Sequence, residues 1–353
     1  MDYAAELDEL ISTVIREGGS DLHLSEGRHP TIRVSSSLIP LVKRDILKHE
    51  DTKGFLEILT TKENNELFYK EKELDFSYNY KNQFRFRGNA YFQQGYVSIA
   101  LRLIPKQIKT LEELHLPQIL NNFCRKTQGF FLVVGPVGQG KTTTLASMIE
   151  LINQERAEHV ITIEDPIEYV YEQKKSIIDQ REVRTDTKDF STALTNVLRE
   201  DVNVILLGEM RDPETMAAAV TAAETGHLVF STLHTNNAAQ TIDRIIDSFP
   251  AEQQNQIRIQ LASSLIGVFS QRLIPRISGG LIPVCELLLV NDAVANLIRE
   301  KRTHEINTVI ETGSEGGMID MNRSIAELVR RGEISLENAY LHAFNPKILE
   351  KLL

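Results

Sequence analysis

The chain has 353 residues, 42% of them hydrophobic, and a formal net charge of −10, enough for roughly two domains of about 150 residues, each with its own core. Its longest apolar runs, such as Phe130–Val134 and Leu287–Val290, fall far below the roughly 18 residues of a membrane span. The acidic balance disfavours a duplex DNA partner, and two distant cysteines, Cys124 and Cys285, without a CxxC pair suggest neither a disulfide framework nor a zinc site.

The start, MDYAAELDEL, is acidic and amphipathic, unlike a signal peptide, so a cytoplasmic location is expected. Leu7, Leu10, Ile11, Val14 and Ile15 repeat at helical spacing from Tyr3 to Glu17, and EGGSD ends that helix before a short strand, LHLS. TIRVSSSLIPL alternates like a hairpin. A helical stretch around Lys53–Tyr69 precedes three segments of period two, ELDFSYNY, QFRFRGNAYF and GYVSIALRLIP. Residues 1–104 therefore read as a small α+β domain, and Pro105–Pro117, PKQIKTLEELHLP, as a linker. Beyond it FFLVVG, HVITIED, NVILLGE and HLVFSTLH alternate with helical segments, the order of a largely parallel α/β sheet spanning 118–290. Residues 291–353 are nearly all helical in pattern.

GPVGQGKT, Gly135–Thr142, fits GxxxxGK[ST] between an apolar strand and a helix-forming TTLASMIELI. Glycines Gly135, Gly138 and Gly140 let the backbone of Pro136, Val137, Gln139 and Thr143 approach phosphate oxygens. The helix start favours anions, Lys141 reaches the β- and γ-phosphates, and the Thr142 hydroxyl is a Mg²⁺ ligand. Nucleotide binding follows. Glu164 and Asp165 end the strand HVITI, expected to lie beside the loop's strand, where they suit a metal and an attacking water; a solvated strand end is the alternative. Glu209 closes NVILL as a proton acceptor or water-orienting group, and Gly208 before it reads as a close-packing position. His227 and His234 stand seven apart, on opposite faces of a straight strand, so they cannot share a metal. His234 falls at the edge of the phosphate loop, placed to sense the γ-phosphate. His227 falls at the other end, where a structural role is expected.

Four blocks, GPVGQGKTTT, VITIEDPIEYVY, VILLGEMRD and TAAETGHLVFSTLHTNNAA, together with TIDRIIDSFPAEQQNQIR and SDLHLSEGRHPTIR, resemble the ring-forming secretion ATPases, in particular the retraction ATPases of type IV pili. The resemblance covers almost the whole chain. It implies a RecA-like phosphate-loop core, a PAS-like α+β first domain and a helical C-terminal part. It further implies ATP and Mg²⁺, with Thr142, Glu164 and Asp165 near the metal, Glu209 as the catalytic carboxylate, and His227 and His234 as the histidine-block residues. Phosphate-contacting arginines are implied at Arg85, Arg87 and Arg102. Alternation in QFRFRG independently puts Arg85 and Arg87 on one strand face above Phe84 and Phe86, an arrangement equally suited to a solvated face.

The missing four-cysteine zinc insertion and the short N-terminal region favour the retraction side, as does Met210 in GEMRD. AVANLIRE, Ala293–Glu300, matches a retraction-specific block AIRNLIRE, with Val294 and Ala295 replacing its Ile and Arg. Pro213, Ser231 and Asn236 are milder departures. The implied protein is a homohexamer acting on pili through an inner-membrane platform protein, peripheral to that membrane, with a second retraction ATPase as a further partner and no nucleic acid. Alternatives are an accessory retraction ATPase, a pilus-assembly or type II secretion ATPase and, outside these, a nonhydrolysing nucleotide-binding ring protein or a nucleic-acid translocase.

Overall fold

A computed structural model describes residues 2–34, 37–81, 83–105 and 107–353. The chain divides into two compact units: residues up to Gln107 together with Pro166–Tyr169, and Ile108–Asp165 together with Val170–Leu353.

The first unit begins with α1 (Tyr3–Arg16), whose Leu7, Leu10, Ile11 and Val14 are buried and whose N-cap Asp2 accepts from Ala5. Gly18, at φ 63, turns the chain out of the helix, a conformation glycine adopts without strain. Then come β1 (Asp21–Ser25), β2 (Thr31–Val34) and β3 (Ser37–Pro40), α2 (His49–Leu59) and α3 (Lys62–Glu71), and β4 (Glu73–Tyr80), β5 (Phe84–Gln93) and β6 (Tyr96–Ile104). All pair antiparallel in the order β3-β2-β1-β6-β5-β4. The expected hairpin is β2–β3, with Ser35 and Ser36 outside the described residues. The single helix expected over Lys53–Tyr69 is two, because Thr60 is extended and Thr61 caps a new start by accepting from Asn64.

In the second unit Ile108–Pro117 is irregular but not loose. Leu111 and Leu116 are buried in its core, and Ser147 Oγ donates to Lys109 O at 2.5 Å. The linker expected over Pro105–Pro117 therefore lies mostly within this unit, with Lys106 outside the described residues. There follow α4 (Leu120–Cys124), β7 (Gly129–Val134), α5 (Lys141–Glu155), β8 (His159–Glu164), β9 (Ile177–Glu182), α6 (Phe190–Val197), β10 (Val204–Leu207), α7 (Pro213–Glu224), β11 (Leu228–Leu233), α8 (Ala238–Asp247) and α9 (Ala251–Ser264). The chain ends with β12 (Leu265–Pro275), β13 (Leu281–Leu289), α10 (Asp292–Arg299), α11 (Ile306–Thr312), α12 (Met321–Arg330), α13 (Leu336–His342) and α14 (Pro346–Leu352).

The sheet runs β13-β12-β7-β11-β10-β8-β9, parallel except for β13. Both faces are covered. Along β7, Phe130, Leu132 and Val134 join one core while Phe131 and Val133 join the other, as period-two side chains of a doubly covered sheet must. A smaller cluster packs α12, α13 and α14 onto β12 and β13. Ala295 is buried in the first of these cores, so this position of AVANLIRE is a packing site. Both cysteines are buried, which pushes their thiols up to about 12.

Candidate active site

The turn from β7 into α5 is shaped by its glycines. Gly135 has φ 147, and a Cβ there would lie 2.3 Å from the carbonyl oxygen of Gln271, so no other residue fits. Gly138 and Gly140 take φ 77 and 78, while Val137 is exposed at the tip. No side chain caps the start of α5, which leaves the N–H groups of the first turn to serve an anion. Gln271 of β12, 3% exposed, braces the loop. Its Nε2 donates to Gln139 O at 2.8 Å, its Oε1 accepts from Thr144 Oγ1 at 2.6 Å, and Leu273 N–H donates to Gln139 Oε1 at 2.6 Å. Sequence reasoning missed this residue, whose signal was a polar pair inside the apolar run VFSQRLIP. Beside the loop opens a cavity of about 360 Å³, with Leu114, Leu116, Leu273, Leu281 and Pro283 among its walls, within the size range of small-ligand pockets.

Lys141 is buried and donates to Gly135 O at 2.8 Å, to Pro136 O at 2.9 Å and to His234 Nδ1 at 3.2 Å. An ammonium only donates, so Nδ1 accepts and the ring proton is assigned to Nε2, which lies 3.7 Å from Glu209 Oε2. Arg211 Nη2 donates to the other oxygen of Glu209 at 2.5 Å, and this bond raises the Arg211 pKa. Lys141, His234, Glu209 and Arg211 thus form one line of contacts across the carboxyl ends of β7, β11 and β10. Arg211 was not singled out from the sequence, although it stands in GEMRD.

One sequence expectation changes here, and two hold. The strand carrying Glu164 and Asp165 is not beside the loop strand: β11 and β10 stand between, which at about 4.8 Å per strand separates them laterally by about 14 Å. Glu164 is buried and accepts from Thr162 Oγ1 at 2.7 Å and Gln180 Nε2 at 3.4 Å, while Asp165 lies 3.7 Å from Arg184. His227 sits at the opposite edge. Its Nδ1 donates to Ala222 O at 2.9 Å, and the six-residue β11, about 20 Å long, lies between it and His234. Gly208 packs against the end of β8, where an added Cβ would meet Ile163 O at 3.4 Å and Glu164 Cα at 3.5 Å.

No group of three histidine, cysteine or acidic side chains converges as a metal cage among the described residues. The donors present are oxygens, which suits Mg²⁺, a cation bound through one or two protein groups with substrate phosphates and water. The Thr142 hydroxyl at the start of α5 fits such a set, whereas Asp165 follows β8, which β11 and β10 separate from the loop strand. Glu164, with Oε1 engaged by Thr162, fits less well.

In the first unit Arg87 and Arg102 are cross-strand neighbours on β5 and β6, with Phe86 buried beneath. Arg102 Nε donates to Asp21 at 2.9 Å, Arg85 Nη2 to Ser77 at 3.0 Å, and Arg87 Nη1 lies 3.5 Å from Glu168.

Residues 4–342 match the family described as type II/IV secretion system protein. The chain belongs to this family. It is 42% identical over 334 residues, 95% of this chain and 97% of the relative, to the type IV pilus retraction ATPase PilT of Pseudomonas aeruginosa. It is 38% identical to the type IV pilus ATPase PilU of the same organism, covering 96% of this chain and 88% of the relative. Its fold matches a crystal structure of the pilus retraction motor PilT with bound ADP at TM-score 0.91 and 44% identity, covering 98% of each chain. For a secretion-family member, the braced loop and the line from Lys141 to Arg211 are the parts of the site formed within one unit of a single chain.

Proposed function

We propose that this secretion-family protein is an ATPase that converts hydrolysis into mechanical work and drives type IV pilus retraction as a homohexamer peripheral to the inner membrane, acting through a platform protein. The observation that carries the chemistry is the contact of Lys141 with His234 and of His234 with Glu209. In the nucleotide-loaded site Lys141 exchanges its loop carbonyls for β- and γ-phosphate oxygens, as phosphate-loop lysines do. His234 then loses a partner when phosphate arrives, which makes it a reporter of loading. Glu209, held by Arg211, orients the attacking water and accepts its proton. Thr142 would hold Mg²⁺, which would supply positive charge to the phosphates when bound. The base and ribose occupy the cavity beside the loop, whose walls combine leucines with Lys109, Glu113 and Arg276.

Arg85, Arg87 and Arg102 belong to the same proposal as phosphate-facing guanidiniums. Arg102 must first release Asp21. Similarity to PilU over nearly the whole chain supports a second reading, an accessory retraction ATPase. Phosphate release by the purified protein, compared with a Glu209→Gln variant, tests hydrolysis. The pilus step that fails on deletion separates the cellular roles: retraction lost supports the first reading, retraction merely weakened supports the accessory one, and failed pilus assembly rejects both.

A further inference from the structure

A second cavity, of about 430 Å³, lies within the same unit where β12, β13 and the start of α8 meet α11, α12 and the segment leading into α14. It is distinct from the phosphate loop. Gln271 faces the loop, whereas its neighbour Arg272 shares a strand face with Ser270 and, across the β12–β13 pairing, with Glu286. Arg272 stacks its guanidinium 4.5 Å from the centre of the Phe344 ring, and its buried Nε has no partner.

Six carboxamides line this cavity, and five of them use their carbonyl end internally. Asn236 Oδ1 accepts from Arg272 Nη2, Asn237 Oδ1 from Gln240 N–H, and Gln240 Oε1 from Asn236 N–H. Asn322 Oδ1 accepts from Asn345 N–H, and Asn345 Oδ1 from Lys347 and Ile348 N–H. These bonds fix the orientation of each amide. What remains is five NH₂ groups that donate to nothing among the described residues. Asn322 is the most enclosed of these residues, 3% exposed, whereas Asn236, Gln240 and Asn345 are more open to solvent.

Glu286 is 4% exposed. Its Oε1 accepts from Ala238 N–H at 2.9 Å and from Ser270 Oγ at 3.1 Å, and its Oε2 accepts none among the described residues. Facing it are Arg272 from β12 and Asp320 ahead of α12, whose Oδ1 is engaged by Arg323 N–H; Glu311 from α11 lines the same cavity. Burial pushes Glu286 up to about 7, so near neutral pH it is only partly charged and can donate as well as accept.

We propose that this cavity is a second ligand site, which takes an acceptor-rich oxyanion of metabolite size, a phosphate ester or a polycarboxylate. Arg272 supplies the cation, the unpartnered amides supply the donors, and Glu286 joins as a donor in its protonated form. The site depends on no property of the motor reaction.

The test is calorimetric titration of sulfate, which does not itself titrate between pH 6 and 8, into the full chain with the phosphate loop saturated by ADP. One saturable site is expected, weakened at least about tenfold in Arg272→Gln and tightened at pH 8 in Glu286→Gln, whose side chain imitates the protonated acid. Because one change weakens and the other tightens, loss of folding cannot produce the pair. The wild-type affinity should fall about tenfold from pH 6 to pH 8, as one proton lost near pH 7 requires, and this slope should vanish in Glu286→Gln. Ribose 5-phosphate and citrate, titrated as competitors, separate a phosphate ester from a polycarboxylate. Absence of a second sulfate site, indifference of that site to both variants, or displacement by neither competitor overturns the proposal.

Discussion

At the amino edge of the seven-stranded sheet, His159 is held between Asp179 Oδ2 at 3.0 Å and Asp201 O at 3.1 Å, and His227 donates to the end of α7. At the carboxyl edge His234 links Lys141 to Glu209. The residue type is the same, and the partners differ. Amino-edge histidines meet acceptors that close local structure, whereas His234 meets the phosphate-loop lysine and the carboxylate proposed to orient the water. A parallel sheet sends all its strands' carboxyl ends to one side, where loops and helix starts converge. Position along the strand therefore decides which histidine can reach the proposed site.

The largest expected effect breaks or keeps the chemical half of this comparison. Glu209→Gln should lower phosphate release by about 10²–10⁴ with ADP affinity nearly unchanged; turnover at the wild-type rate would remove the carboxyl edge from the chemistry.

Next comes the pH dependence of stability, with Glu286 behind the carboxyl edge set against the exposed Asp179 at the amino edge. Burial raises Glu286 from 4.5 to about 7 in the folded chain. Its protonated form is thus favoured by folding, and the stability it lends below pH 4.5 is lost as pH rises towards 7 and beyond. A shift of this size corresponds to at most about 3 kcal/mol. Glu286→Gln should therefore raise the melting temperature relative to wild type at pH 8 and lose that advantage at pH 5, whereas Asp179→Asn should change stability by less than about 1 kcal/mol.

A smaller effect compares two glycines. Gly135→Ala meets Gln271 O at 2.3 Å, while Gly226 ahead of β11, at φ 111, has open space around its added carbon. Each change carries backbone strain of about 1–3 kcal/mol. Only Gly135→Ala should also weaken fluorescent-ADP binding, so equal ADP affinity in the two variants would mean the Gln271 brace does not shape the loop.

The smallest effect is at His227. His227→Ala should leave ADP affinity within about twofold, since it lies about 20 Å along β11 from His234. Slower turnover at unchanged affinity would place His227 at a contact with another copy of the chain.

Much of this was legible before the structure. The phosphate loop, the strand ends carrying Glu164 and Glu209, and the position of His234 follow from motif spacing and apolar runs, because these are properties of consecutive residues. Glu164 and Asp165 show where that reasoning stops. They are close to Thr142 in sequence, 22 residues on, yet β8 joins the sheet beyond β10 and β11. β9 and the β12–β13 hairpin were also missed. IIDQRE alternates weakly at a sheet edge, and β12 follows α9 with no turn signal between them.

By itself the sequence determined most of the strands and helices, the phosphate-loop motif at Gly135–Thr142, and which strand ends carry acids. Hydrophobic period, glycine placement and helix caps act over a few residues, and they are written in order along the chain. Only the tertiary structure decided that Glu209, not Glu164, is the carboxylate reached from Lys141 through His234, that Gln271 braces the loop from 132 residues away, and that six carboxamides line one cavity. Those outcomes depend on strand order and on where each polar group's bonds are spent. Both are set by contacts between distant segments, which no local pattern encodes.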